Sequence, residues 1–329
     1  MLPPPAYTLD LSQVRRAAEL IAPHGLRRTP VLHSPALSER CGRPVHLKCE
    51  NQQVTGSFKV RGALARIALL EGEARYRGVV AASAGNHGLG VAWACRLLGV
   101  PGLVVVPETV ARVKLERLRE MLVKVRLHGS CYDEAEARAR QIGDEAEATF
   151  VSPFDDPWVM AGNGGTVGQE IREQLPGCAA VVTPLGGGGL AVGLAVGLGG
   201  IPVLGVNTAA SPAMARSLAE GHVYRTWDSA PTLAEGLEGG VSDTSAALCA
   251  RHLAGVEVVQ ERSIAEAIRL VAHRHGMVLE GSAGAGVAAL LEDKPVPGDG
   301  PICVVLTGRN IDRDRLEKVL RTSGGERGR

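Results

Sequence analysis

An α/β fold with parallel sheets covered by helices is predicted by three features of the 329-residue sequence. Short apolar runs alternate with amphipathic stretches along nearly the whole chain, the pattern of strand–helix–strand units. Twice, an apolar run passes through a turn of small residues directly into helical spacing, after Val79–Ala81 and after Ala180–Thr183. No repeat of fixed period appears, which argues against a solenoid or propeller.

The elements follow in order. Leu11–Ile21 has the spacing of an amphipathic helix, and the apolar run Val45–Leu47 that of a strand. Ser57 is placed to cap the next helix, whose apolar spacing covers Val60–Leu70. A short regular cycle then begins. Strands are predicted at Val79–Ala81, Leu103–Val106, Lys124–Leu127 and Thr149–Val151, separated by helices at Leu89–Leu98, Arg112–Leu122 and Asp133–Ala146. This block reads as a small βαβ domain with boundaries near residues 75 and 152. Beyond it the pattern predicts helix Gly168–Gln174, strand Ala180–Thr183 and a buried helix end at Ala191–Ile201. Strand Val203–Val206, helix Pro212–Glu220, strand Val256–Val259 and helix Ser263–His275 follow, then strand Ile302–Leu306 and helix Arg313–Leu320. The polar tail Thr322–Arg329 reads as disordered.

Composition excludes several classes of function. The net charge is only +1, so no basic field recruits nucleic acid or an anionic membrane. The start, Met1-Leu2-Pro3-Pro4-Pro5, lacks the basic and apolar regions of a signal peptide. No apolar run reaches the roughly 18 residues of a membrane span. Seven cysteines are scattered without a Cys-x-x-Cys, which predicts reduced, buried thiols and a cytoplasmic protein.

Three stretches carry chemistry. Lys59, in Ser57-Phe58-Lys59-Val60-Arg61-Gly62-Ala63, stands at a helix start. The helix dipole and burial both disfavour its charged form, leaving an amine able to form a Schiff base with an aldehyde. Ser83-Ala84-Gly85-Asn86-His87-Gly88 joins a strand to a helix and can offer backbone N–H groups to a carboxylate. Gly186, Gly187, Gly188 and Gly189 follow a strand and open a helix, a cradle for a phosphate made of backbone N–H groups. The run has neither Gly-x-Gly-x-x-Gly spacing nor a Walker Lys-Ser/Thr, which points to a single phosphate rather than a nucleotide.

These stretches, with Pro153-Phe154-Asp155-Asp156-Pro157, Glu280-Gly281-Ser282-Ala283-Gly284 and Thr307-Gly308-Arg309-Asn310, resemble fold-type II pyridoxal phosphate (PLP) enzymes of the serine/threonine dehydratase family. The resemblance runs from about Arg28 to Asp312. It implies a tryptophan synthase β-like arrangement: a discontinuous large domain (1–74 and 153–329), a small domain (75–152), and an active site between them. It implies PLP on Lys59, which is also the base for the α-proton. Phe58 would lie against the ring, Asn86 would meet the ring hydroxyl, and Gly186–Gly189 would hold the phosphate. Glu280 would stand near the cofactor, and Ser83, Ala84, Gly85, Asn86 and His87 would hold the substrate carboxylate. Thr307 would meet the ring nitrogen, where a neutral hydroxyl makes a weak electron sink suited to β-elimination. The resemblance also implies a homodimer with a small-molecule partner.

Departures from the family pattern refine the expectation. A racemase of this family carries a serine where this chain has Ala84, so dehydration is expected over racemisation. Cation-binding members have acids where Asn207 and Ala213 stand, so no tight Mg²⁺ or Ca²⁺ site is expected. Arg309 replaces a small residue. The expected reaction is conversion of L-threonine or L-serine to a 2-oxo acid and ammonia. The same chemistry on 3-hydroxyaspartate or a hydroxyectoine-breakdown intermediate, a serine racemase-like activity, and a non-catalytic PLP-binding module are the alternatives.

Overall fold

The computed structural model describes residues 2–321; the tail expected to be disordered lies outside the described residues. The first part of the chain contains α1 (Leu11–Ile21), β1 (Val31–His33), α2 (Pro35–Cys41), β2 (Val45–Lys48), α3 (Lys59–Ala68) and α4 (Gly72–Arg77). The middle part contains β3 (Val79–Ala82), α5 (Asn86–Leu98), β4 (Gly102–Val106), α6 (Arg112–Glu120), β5 (Lys124–Leu127), α7 (Tyr132–Ala146) and β6 (Thr149–Phe150). Then come α8 (Pro157–Met160), one wide turn of π-helix (Ala161–Gly165), α9 (Thr166–Gln174), β7 (Ala180–Pro184), α10 (Gly189–Leu198), β8 (Val203–Thr208) and α11 (Ala213–Glu220). The last elements are α12 (Asp243–His252), β9 (Gly255–Val259), α13 (Glu261–His275), α14 (Gly281–Leu291), β10 (Ile302–Val305) and α15 (Arg313–Arg321).

The strands form two sheets. One has the order β1-β2-β10-β7-β8-β9 and is parallel except for β1, which runs antiparallel to β2 at the edge. The other has the order β5-β4-β3-β6 and is wholly parallel. Both reverse direction of build-up once. In the larger sheet β8 and β9 add to one side of β7 while β10 returns to its other side. In the smaller, β4 and β5 add to one side of β3 while β6 returns to the other. At such a reversal the loops leaving adjacent strands diverge and open a crevice at their carboxyl ends. The stretches 83–85, 151–156, 185–188 and 306–310 all leave strands at these two points.

Close backbone contact sets the helices in place. A Cβ at Gly90 of α5 would lie 3.0 Å from the Val60 nitrogen and 3.1 Å from the Lys59 carbonyl, so the start of α3 rests directly on α5. The wide turn presses on α10 in the same way: a Cβ at Gly164 would fall 2.1 Å from the Leu190 carbonyl. The core between them is continuous, joining Leu64 and Ile67 of α3, Val91 and Ala94 of α5, Val159 and Met160 of α8, and Leu194 of α10.

Some expectations fail. Ser57 does not cap α3: the residue before the helix is Phe58, no side chain caps it, and the buried Ser57 hydroxyl has no hydrogen-bond partner. Ser57 pairs instead through its backbone with Gly308. The pattern passed over β1, α2, α4, α8 with the wide turn after it, α12 and α14. β1 has only three residues, and α14 is rich in glycine, a poor helix former. There packing overrides propensity: a side chain at Gly281 would strike the Leu233 carbonyl, and one at Gly286 the Val304 side chain. All seven cysteines are free, but Cys131 is exposed and Cys41 only partly buried, against the expectation of buried thiols.

Candidate active site

The amine of Lys59 lies in the crevice between the sheets. Lys59 opens α3, and its Nζ donates a hydrogen bond to the Pro153 carbonyl at 2.7 Å. The Phe58 ring centroid is 5.3 Å away. Burial pushes the amine down to about 8, with the Glu280 carboxylate opposing the shift. Two residues further on is about 200° round a helix, so Arg61 points away from the crevice into the interior. There it is 1% exposed and ion-paired with Glu50 and Glu170.

Asn86 opens α5 on the other wall. Its Nδ2 donates to both carboxylate oxygens of Glu280, at 2.8 and 2.9 Å. Glu280 directly precedes α14, and burial raises its carboxyl to about 7 against hydrogen bonds from Asn86 and the Asn310 backbone. Asn310 completes the cluster. Its Nδ2 donates to the Asn86 Oδ1 at 2.6 Å and to the Thr55 carbonyl at 2.9 Å.

Ser83, Ala84, Gly85 and Asn86 are partly exposed along the crevice, and the Ser83 hydroxyl accepts from the Gly85 N–H at 3.1 Å. His87 differs from them. It is buried, with Nε2 at 2.8 Å from the Val151 carbonyl and Nδ1 without a partner. Burial and then the Lys59 charge push its ring down to about 3, so it is neutral, with Nε2–H donating. Its ring holds the Val151–Pro153 segment on which the Lys59 amine rests.

The glycine loop leaves β7 and becomes the first turn of α10, whose leading N–H groups have no partner within the helix. Phe154 leaves no room for side chains there: a Cβ at Gly187 would be 2.4 Å from its ring, and one at Gly189 2.6 Å from its carbonyl. Gly188 has φ of +90°. Behind the loop the buried Asn207 amide donates to the Leu185 carbonyl and accepts from the Ala215 N–H. Among the described residues no group of three or more His, Cys, Asp and Glu side chains is placed to hold a metal ion. Thr307 ends the β10 wall and is buried, and its carbonyl accepts from the Phe58 N–H at 3.2 Å. Arg309 is exposed.

Phe58, Lys59 and Thr307 form one group of contacts and Asn86, Glu280 and Asn310 another, the two facing each other through the Coulomb interaction of Glu280 with Lys59; the glycine loop meets the same segment, 153–154, that receives the Lys59 amine. Reasoning on single residues missed Pro153, Phe154 and Asn310, although all three stand inside motifs read from the chain. The residues fit pyridoxal phosphate. A lysine of lowered pKa is available to its aldehyde, and the bare helix N-terminus suits its doubly charged phosphate.

The comparisons agree. The family model described as "Pyridoxal-phosphate dependent enzyme" matches residues 23–308. An L-threonine ammonia-lyase of Thermotoga maritima is 39% identical over 94% of this chain and 77% of its own length. One from Geobacter sulfurreducens is 40% identical over 90% and 74%. Among solved structures, the processed form of threonine deaminase isoform 2 from Solanum lycopersicum superposes with a TM-score of 0.84 at 31% identity, covering 97% of this chain and 90% of its own. Maize serine racemase superposes with a TM-score of 0.89 at 29% identity, covering 95% and 97%. With the family's pattern matched from residue 23 to residue 308 and the site built to hold its cofactor, this chain belongs to the pyridoxal-phosphate-dependent enzymes.

Proposed function

We propose that the protein is an ammonia-lyase that converts L-threonine or L-serine to the corresponding 2-oxo acid and ammonia. Both relatives named L-threonine ammonia-lyase align with at least nine-tenths of the chain. The observation that carries the reading is the Lys59 amine, held near a pKa of 8 against the Pro153 carbonyl beside a bare helix N-terminus.

When bound, the cofactor supplies an electron sink for the pair left by the α-C–H bond. The chain's own groups do the rest. Lys59 accepts the α-proton, because its depressed pKa leaves a far larger unprotonated fraction near neutrality than an ordinary lysine has. The N–H groups from Gly186 to Gly189 would hold the phosphate, Phe58 would lie against the ring, and Asn86 would donate to the ring oxygen. Thr307 would offer a hydroxyl to the ring nitrogen, and Glu280 stands behind Asn86. The turn Ser83-Ala84-Gly85-Asn86 and the backbone N–H of His87 bind the substrate carboxylate, while the His87 ring holds the crevice wall behind it. Overall the substrate loses its α-proton and β-hydroxide, and the water added back releases ammonia.

Ala84 has no proton to deliver to the second face of the α-carbon, which opposes the racemase alternative. Arg309 lies exposed, and among the described residues no side-chain hydrogen bond or ion pair turns it toward the crevice. The reading includes a small domain at 75–152 and a large one at 1–74 and 153–329, with association as a homodimer in the cytoplasm. No helix among the described residues is long and apolar enough to cross a membrane.

The test is made on the purified enzyme carrying its cofactor. L-threonine or L-serine should yield equimolar 2-oxo acid and ammonia, and Lys59→Ala should abolish both. Absence of bound cofactor, racemised serine without ammonia, or normal turnover by Lys59→Ala would each defeat the proposal.

A further inference from the structure

We propose that Asn310 is a positioning residue for the cofactor: its carboxamide fixes the direction in which Asn86 presents its own amide to the crevice. This rests on Asn86 being the donor to the cofactor's ring oxygen.

A carboxamide has an accepting end and a donating end, and little in its own torsions chooses between them. At Asn86 the choice matters. Its Nδ2 must face inward to donate, and turning the amide over would present a carbonyl oxygen instead. The contact with Glu280 does not settle this choice alone. That carboxyl is raised to about 7, so near neutrality it passes between an acceptor and a group that also donates. Lys59 and, more weakly, Lys114 are the cations that act on it. A protonated Glu280 could satisfy either face of Asn86.

Asn310 removes the ambiguity through a chain of donors with one possible direction. It begins at the Thr55 carbonyl, which can only accept. The Asn310 Nδ2 donates to that carbonyl at 2.9 Å, so its NH₂ end is held there. The same NH₂ donates to the Asn86 Oδ1 at 2.6 Å. The Asn86 oxygen is thereby committed, and its NH₂ faces Glu280 and the crevice. The backbone agrees: the Asn310 N–H donates to a Glu280 oxygen at 3.2 Å. Space for the Asn310 amide exists because residue 56 is glycine, with φ of +78°; a Cβ there would lie 2.7 Å from the Asn310 Oδ1. Asn310 follows β10 of the larger sheet and Asn86 follows β3 of the smaller, so the pair spans the crevice.

The experiment is a double-mutant cycle read on cofactor binding. Cofactor-free wild type, Asn86→Ala, Asn310→Ala and the double variant are titrated with pyridoxal phosphate, and the absorbance maximum of each bound form is recorded. Asn310→Ala should weaken binding about tenfold, the scale of one hydrogen bond, and shift the maximum in the direction Asn86→Ala shifts it. In the Asn86→Ala background the same change should weaken binding by no more than about twofold. Asn310→Leu keeps much of the shape but neither donates nor carries charge, and should match Asn310→Ala. It replaces Asn310→Ala in the cycle if circular dichroism shows the alanine variant unfolded. Equal weakening in both backgrounds, or an unshifted maximum in both Asn310 variants, overturns the proposal. Failure of the wild type to bind pyridoxal phosphate would instead overturn the reading on which it rests.

Discussion

Replacing Arg61 by methionine tests how the lysine helix is held. The guanidinium forks onto Glu50, with Nε at 2.8 Å from Oε2 and Nη2 at 2.9 Å from Oε1. It also reaches both oxygens of Glu170, at 2.7 and 3.1 Å. Methionine fills much of the same volume, so the loss is mainly electrostatic. Glu170 keeps Lys48, whose Nζ lies 2.5 Å away, and so retains a cation. Glu50 keeps no direct ion pair among the described residues, and of the nearby cations it retains the Coulomb attraction of Lys48. It is fully buried, and the Thr29 hydroxyl is the hydrogen bond left to its side chain. Leaving one member of a buried pair unpaired costs about 3–5 kcal/mol. At roughly 2 °C per kcal/mol for a long chain, the melting temperature should fall by about 6–10 °C. Adding Glu50→Gln removes the orphaned charge and should restore a large part of the loss. The assay is thermal and urea unfolding of the cofactor-free protein, followed by circular dichroism. A fall of less than about 2 °C, or no recovery in Arg61→Met/Glu50→Gln, would refute the argument.

Three other outcomes are expected. The folded lysine at position 59 gives up its proton near 8 whereas an unfolded one holds it to 10.5, so cofactor-free protein gains stability as pH rises between these values. The rate at which it takes up pyridoxal phosphate should rise with a midpoint near pH 8, and a midpoint above 10 would contradict the lowered pKa. Glu280 shifts the other way. Its folded carboxyl keeps a proton to about 7 that the unfolded chain releases near 4.5, so cofactor-free protein loses stability as pH rises through that window. Glu280→Gln should flatten this slope in melting temperatures taken at about pH 5 and pH 7.5, and an unchanged slope would count against it. Gly188→Ala places a Cβ 2.7 Å from the Cys249 sulfur at a φ of +90° and should cost about 1–3 kcal/mol and weaken phosphate binding. Cys249→Ala should restore only part of that, since the backbone strain stays; full restoration would show that crowding alone mattered.

Much of the architecture was legible because parallel strands are short, apolar and bounded. Lys124–Leu127 and Leu11–Ile21 agree with their observed limits, and most other elements fall within a few residues. What escaped was held by packing. The glycines of α14 are weak helix formers made helical by their fit against Leu233 and Val304, and the short edge strand β1 exists through pairing with β2. Ser57 has the chemistry of a cap yet leaves its hydroxyl unpartnered, because its backbone is drawn into a bridge with Gly308. His87 reads as a turn residue facing substrate, but its ring is buried on the Val151 carbonyl.

By itself, the order of residues determined the local parts: an amine at a helix start, a turn of small residues, and a loop of glycines after a strand. Those depend on contacts within a few residues. Tertiary structure alone decided that Asn86 meets Glu280 across 194 positions and Asn310 across 224. It also raised the Glu280 carboxyl and supplied the burial behind the lowered Lys59 amine, whose direction its place at a helix start had anticipated. The reason is physical: desolvation and Coulomb energy depend on burial and distance in space, and neither is encoded in spacing along the chain.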